Sequence, residues 1–318
     1  MISLGLVGFG KHVRETLLPS LQMFDEASVV AACDPVLNRF RSLSSGIEIF
    51  DRWEAMLERA ELDGVIVGAT PQVNMDVIRE SHRRGLPIFV EKPLCRDGIE
   101  GNELLLRMDS GLHLGVGHNF SYAPAFVNVF SKLERASSFP VMMASLEYMT
   151  SKPVGDRWGL DDPIRAMLLT NATHALDLLL MYDGSLSLDG AACSRSGSRI
   201  AISVQLVTSG GALFNLIVSN GAPHFSFRLR VLGNQGQSAL VDCLRQCELE
   251  IPRPGQRVIE VWKSSELQSV LELAGYRQEL ALFCESIGDE TARHRVLAHS
   301  RRAVKCMILI DEIIAAVS

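Results

Sequence analysis

Residues able to move protons or hold phosphate fall in a few short stretches of the chain, and the most telling is "IFVEKPLC", Ile88 to Cys95. An apolar run ends there in Glu91 and Lys92, and Pro93, with no N–H to donate, stops the strand. A lysine carried to the end of a buried strand is unfavourable unless something uses its charge. In a dry site its ammonium would stabilise a developing alkoxide. The other reading, a surface ion pair between Glu91 and Lys92, is weakened because neighbours on a strand point to opposite faces. His174 stands in "NATHALD". An imidazole titrates near neutrality, so it can take an alcohol proton or return it. A histidine among Ala175, Leu178 and Leu179 also reads as an ordinary core residue.

"GFGKH" follows the first apolar run and opens a helix. Gly8 would allow a tight turn, and Phe9, Gly10, Lys11 and His12 would bring backbone N–H groups and cations to a pyrophosphate. The third position of the GxGxxG pattern is Val13, and its bulk predicts a helix pushed slightly off the strand. Asp34 ends the second run in "ACDP", where a carboxylate would accept hydrogen bonds from a ribose and repel a 2′-phosphate. That favours NAD. Arg39, with Lys11 or His12, keeps NADP open, and Asp34 is also a natural turn residue before Pro35. The runs ending in "GATP" (Ala69, Thr70, Pro71) and "VEKP" (Glu91, Lys92) place their last residues at the edge of the sheet where ligands bind. They should meet the nicotinamide end. Asn119, after the fifth run, suits the cofactor's ribose or carboxamide, and Tyr122 closes the pocket or simply packs.

The elements that must position these groups alternate. Ile2–Val7, Val29–Cys33, Gly64–Gly68, Ile88–Val90 and Leu112–Gly117 read as strands, with helical stripes between them. That pattern predicts an N-terminal Rossmann fold, a doubly wound parallel sheet, over residues 1–120. Beyond it, "IAISVQLV" and "FSFRLRV" alternate apolar and polar residues cleanly. This predicts an α+β domain over 121–318 with an open-faced, mainly antiparallel sheet. Its covering helix would be "ATHALDLLLMYDG", ended by Gly184. Two C-terminal helices, from about Tyr276 and Leu297, are free to pack back on the first domain.

With 318 residues, 47% hydrophobic and 21% charged, the chain suits two globular domains, and its net charge of -6 argues against nucleic acid and anionic membranes. No apolar stretch approaches the length of a membrane span. "ISLGLVGFG" has neither the basic start nor the cleavage site of a secretory signal. Seven cysteines without CxxC or zinc spacing predict reduced thiols, no metal site and a cytoplasmic protein.

The pieces "GFG", "ACDP", "GATP", "VEKPL", "GHNFSYAPAF", "ATHALDLLL", "VLGNQG" and "YRQELALFCESI", in that order, resemble the glucose–fructose oxidoreductase, inositol dehydrogenase and MocA family. The resemblance implies hydride transfer between NAD(P) and a hydroxyl- or keto-bearing carbon of a sugar, cyclitol or related polar molecule. Lys92 and His174 would be the catalytic pair. Departures are visible. Ser121 stands where the family often has Arg, and Asn74 replaces a usual His. Thr170, with Asn171 beside it, stands where inositol dehydrogenases carry Asp. Thr170, Asn171, Tyr122, Lys92 and His174 are thus the substrate-binding candidates. The resemblance also implies a homodimer or tetramer through the open sheet face. Ser203, Gln205, Asn215, Arg228 and Arg230 predict a polar, wet contact there. The lost Arg and Asp leave a second reading, a catalytically silent dinucleotide-binding sensor or co-regulator.

Overall fold

The computed structural model describes residues 1–37, 40, 46–135, 140–152, 158–253 and 256–318. They form two compact units, Met1–His118 with Tyr276–Met307, and Asn119–Gly275 with Ile308–Ser318.

The first unit is built on six strands: β1 (Ile2–Val7), β2 (Ala27–Cys33), β3 (Glu48–Phe50), β4 (Gly64–Val67), β5 (Ile88–Glu91) and β6 (Leu114–Gly117). All pairings are parallel, in the order β3-β2-β1-β4-β5-β6. β4, β5 and β6 are buried at every residue, which is why they read as unbroken apolar runs. β3 is absent from the sequence reading. It has three residues, and two of them, Glu48 and Ile49, are exposed.

The helices of this unit include α1 (Leu18–Leu21), α2 (Trp53–Arg59), α3 (Pro71–Arg84) and α4 (Gly98–Asp109). α3 opens after an extended Thr70 with Pro71 in its first turn, and Gly85 ends it in the left-handed conformation at φ 69°. The Asp97 carboxylate accepts the N–H of Glu100 at 2.9 Å and starts α4.

The second unit carries α5 (Pro124–Arg135), α6 (Pro163–Met167), α7 (Thr173–Tyr182) and α8 (Val270–Leu273). The C-terminal helices are α9 (Tyr276–Gly288) and α10 (Glu290–Val317). α9 returns to the first unit. Its Leu280, Phe283 and Cys284 join Leu4, Leu6 and Ile66 in one core, and Phe283 meets Phe89 of β5 at 5.5 Å between ring centres.

The second unit's sheet has eight strands: β7 (Val141–Met149), β8 (Ser187–Ser196), β9 (Arg199–Val207), β10 (Leu213–Ser219), β11 (Ser226–Gly233), β12 (Ser238–Asp242), β13 (Gln246–Arg253) and β14 (Gln256–Lys263). Their order is β14-β13-β12-β11-β7-β10-β9-β8. Every pair is antiparallel except β7 with β10. Ile202, Val204, Phe214, Leu216, Phe227 and Leu229 are buried on one face, and α7 packs against β7 and β10. The opposite face is not purely polar, contrary to expectation. Leu213, Ile217, Ile259 and Val261 are 38–56% exposed, and they share that face with Ser203, Gln205, Glu248 and Glu250. The expectation rested on β9, β11 and Asn215 of β10, whereas these residues occupy other positions of β10 and the strand β14. A second correction concerns the end of α7. The helix stops at Tyr182 and continues through an extended Asp183, and Gly184 is not among the left-handed glycines.

All seven cysteines are free. Burial beside Asp34 pushes the Cys33 thiol up to about 12, so it acts as a packing group. Among the described residues no helix is long and apolar enough to cross a membrane.

Candidate active site

In the first unit the strand order reverses between β1 and β4, and the sheet edge at their carboxyl ends is the switch point where doubly wound folds take ligands. Gly8 sits there at φ 83°, and a Cβ on it would come within 2.8 Å of the Gly68 carbonyl oxygen. No other residue fits that turn without strain. A Cβ on Gly10, in contrast, would meet nothing within 4 Å. The backbone is bare on that side, as close approach of a pyrophosphate requires. Lys11 is exposed near Glu15 at 3.8 Å. The GFG turn and its flanks therefore fit a dinucleotide.

Two of the expected ligands have other duties. The Phe9 ring is buried and stacks on Phe40 at 4.8 Å. Its N–H donates to the Asp34 carboxylate at 2.7 Å, so it is not available to a phosphate. Asp34 is buried and also accepts the N–H of Val36 at 2.8 Å. The carboxylate thus ties the glycine turn to the end of β2, whatever else it holds. Arg39 lies outside the described residues.

The "VEKP" stretch is fixed from three sides within the same unit. Glu91 is buried, and its carboxylate lies where a Cβ on Gly117 of β6 would stand, about 3.0 Å away. Its Oε1 lies 3.1 Å from His12 Nε2, and its Oε2 accepts from the Lys92 N–H at 3.2 Å. His12 therefore joins the glycine turn to the end of β5. Asn74, on α3, is buried and donates through Nδ2 to the Pro93 carbonyl at 3.1 Å. The residue that departs from the family's histidine is thus an anchor for the lysine loop, whose Lys92–Pro93 bond is cis. Lys92 itself is half-buried. Ala69 is half-buried, Thr70 exposed and Pro71 buried at the start of α3.

In the second unit α6, a π-helical turn at Leu168–Ala172 and α7 form one continuous run. Such π turns shift the phase of the side chains that follow, and they are frequent at functional sites. Here the run is buried almost throughout, and its polar residues stand out. Thr170 donates from Oγ1 to the Ala166 carbonyl of its own helix at 2.6 Å. Asn171 Nδ2 and Thr173 Oγ1 are buried with no hydrogen-bond partner among the described residues. Buried donors left in this way point to a polar guest. His174, 5% exposed, lies face to face with the Phe120 ring at 4.6 Å and 21°. Asp177, one turn on and fully buried, accepts a hydrogen bond from the Ser121 hydroxyl.

Phe120 and Ser121 belong to a 3-10 turn, Asn119–Tyr122. Asn119 has one end of its amide taken, and its Oδ1 is buried with no hydrogen-bond partner among the described residues. Nδ2 donates to the Ala274 carbonyl at 2.7 Å inside the second unit. The next residue, Gly275, has φ 88°, and a Cβ there would lie 2.1 Å from the Asn119 carbonyl oxygen. The turn is pressed directly on that glycine. Tyr122 is half-buried on the same turn. Sequence reasoning missed the roles of Phe120, Asn74 and Gly275. Only Gly275, a glycine just before a helical stripe, carried any signal.

A parallel sheet in the order 3-2-1-4-5-6 with an open glycine turn at its switch point defines a dinucleotide-binding protein. Residues 2–117, which hold all six strands of the first unit's sheet, match the model of the oxidoreductase family with an NAD-binding Rossmann fold, named for glucose–fructose oxidoreductase, inositol dehydrogenase and MocA. The rhizopine catabolism protein MocA of Rhizobium meliloti is 31% identical over 130 residues, 38% of each chain. The chain spans well under half the length of the curated relatives it matches, 38% and 40%. A solved dehydrogenase from Chromobacterium violaceum is similar over 100% of this chain and 95% of its own, with 28% identity and a TM-score of 0.90. KijD10 from Actinomadura kijaniata, a 3-ketoreductase solved with NADP, shares the fold at 16% identity and a TM-score of 0.77, over 99% of this chain and 97% of its own.

Proposed function

We propose that this protein is an NAD(P)-dependent oxidoreductase. It transfers hydride between the nicotinamide and a hydroxyl- or keto-bearing carbon of a sugar, cyclitol or related polar molecule. The observation that carries the reading lies within the first unit. An open glycine turn and a lysine anchored by Asn74 and Glu91 occupy the carboxyl edge of one parallel sheet. Gly8, Gly10, Lys11, His12 and Thr70 would hold the cofactor, which supplies a hydride acceptor or donor when bound. Lys92 places its ammonium on the substrate oxygen and lowers the energy of the alkoxide as the C–H bond breaks. The imidazole of His174 takes the hydroxyl proton in oxidation and returns it in reduction. Asn171 and Thr173 donate to substrate oxygens. Asp34 favours NAD, because its carboxylate repels a 2′-phosphate. The free thiols suit a reducing compartment, and the open sheet face suits a second copy of the chain.

Purified protein mixed with NAD or NADH and a panel of sugars, cyclitols and keto-sugars should change the nicotinamide absorbance with at least one of them. Tight cofactor binding without turnover on any of them would support the second reading, a silent dinucleotide sensor. One observation favours that rival. Thr170, at the position of the family's orienting carboxylate, uses its hydroxyl on the Ala166 carbonyl.

A further inference from the structure

The helix of His174 is held at two points by the Asn119–Tyr122 turn. Phe120 covers one face of the imidazole in a parallel stack, 4.6 Å between centres and 21° between planes. Ser121, the next residue, bonds Asp177, three residues beyond His174 on the same helix. Residues three apart on a helix share a face, so the two contacts hold one side of α7. The turn itself is held by the Asn119 bond to Ala274 and by its close fit on Gly275.

We infer that Phe120 is a positioning residue, and that the Asn119–Tyr122 turn acts as a clamp setting the ring plane of His174 and the axial placement of α7. A stacked aromatic ring removes the rotation about χ2 that an imidazole otherwise keeps, since that torsion is broad. A proton carrier misplaced by a fraction of an ångström loses much of its rate, so the orientation bears directly on turnover. The Ser121–Asp177 bond also accounts for the serine at this position. A short hydroxyl reaches a carboxylate on α7 and locks the helix without adding a charge. The inference rests on His174 being the proton carrier proposed above.

The test compares two buried phenylalanines. Phe120 and Phe126 both pack edge-on against Phe227, at 5.4 and 5.6 Å, but the stack on His174 is made by Phe120. Phe120→Leu and Phe126→Leu each remove an aromatic ring from that cluster. Phe120→Leu should lower kcat about tenfold or more with KM changed less than about twofold, as loss of an interaction made in the transition state does. Phe126→Leu should leave both near wild type. Phe120→Tyr, which keeps the ring, should restore kcat. A second readout needs no activity. The His174 ring protons, assigned by their loss in His174→Asn, should move downfield in Phe120→Leu and stay in place in Phe126→Leu. Equal kinetic losses in the two leucine variants, or unmoved His174 resonances in Phe120→Leu, would overturn the inference. Absence of turnover in the wild-type protein would count against the proposed function, and the resonance shift would still decide the clamp.

Discussion

The Cγ2 methyl of Val13 lies 2.3 Å from the point where a Cβ on Gly68 would stand. One residue follows the glycine turn after β1, the other follows β4, and their side-chain volumes are complementary. A dinucleotide turn ordinarily uses a small residue at the position of Val13 to bring helix and strand together. Here the valine is kept, buried at 1% exposure, and the room comes from the neighbouring strand. The helix also carries a π-helical turn at Val13–Leu17.

Gly68→Ala should therefore overpack this contact and destabilise the protein by about 1–3 kcal/mol in urea unfolding. Val13→Ala should lose a comparable amount by leaving a cavity. The double variant should be more stable than the sum of the two losses predicts, with a coupling of roughly 1 kcal/mol or more. Strict additivity would mean that the strand and helix adjust independently.

This pairing shows where sequence reading stops. The parallel strands were legible because each is short, apolar and bounded by turn residues, and alternation in β9 and β11 revealed a sheet covered on one face. Local pattern also brought Lys92 to a strand end. Partners distant in sequence were not legible. Gly68 makes room for Val13, Asn74 anchors Pro93, and Ala274 takes the amide of Asn119, 155 residues away. Asn119 read as a cofactor ligand because it follows a strand at the ligand edge, and nothing local showed that its Nδ2 is taken by Ala274. β3 escaped because three residues, two of them exposed, carry no periodicity.

Asp34 has two functions that one substitution should separate. Asp34→Ser removes the acceptor for the Phe9 and Val36 N–H groups, and should lower stability by about 1–3 kcal/mol. Calorimetric titration should also show weaker NAD binding and a relative gain for NADP. Tighter binding of NADP than NAD by the wild-type protein would show that Asp34 serves the turn alone.

His113 gives the first unit a defined acid limit. It is buried, and its Nε2 lies 2.8 Å from Ser286 Oγ. Ser286 gives its own proton to the Phe283 carbonyl at 2.6 Å, so Nε2 is the protonated nitrogen of a neutral ring. Burial first, and Arg293 second, lower its pKa from 6.5 to about 4. The unfolded chain therefore takes up a proton before the folded one. The stabilisation is complete above the unfolded value and is lost as pH falls from about 6.5 through about 4, amounting to roughly 2 kcal/mol by pH 5. Urea unfolding across that range should show the slope, and His113→Gln should flatten it by about one proton.

The uncovered face of the second unit's sheet makes a claim about assembly. Ile217 and Leu213 on β10 and Ile259 and Val261 on β14 stand among polar residues on that face. We expect a homodimer or tetramer at micromolar concentration in light scattering, with Ile217→Glu combined with Val261→Glu shifting it to monomer. A monomeric wild-type protein would remove this reading.

The catalytic proposal rests on one group from each unit, and kinetics can test them separately and together. Lys92→Ala and His174→Ala should each reduce turnover by roughly a hundredfold or more, the usual scale for a positioned acid–base group. Cofactor affinity should change little, because the glycine turn and its flanks are intact in both variants. The double variant should be little slower than the worse single one, since groups acting as a unit are not additive. Asn74→Ala separates position from chemistry. It leaves the ammonium present but removes the bond to the Pro93 carbonyl, so it should lower kcat more than it raises KM, and by less than Lys92→Ala. Near-normal turnover in His174→Ala would make that histidine a core residue stacked on Phe120. The buried donors Asn171 and Thr173 would then be the next groups to replace, because Asn171 Nδ2 and Thr173 Oγ1 have no hydrogen-bond partner among the described residues.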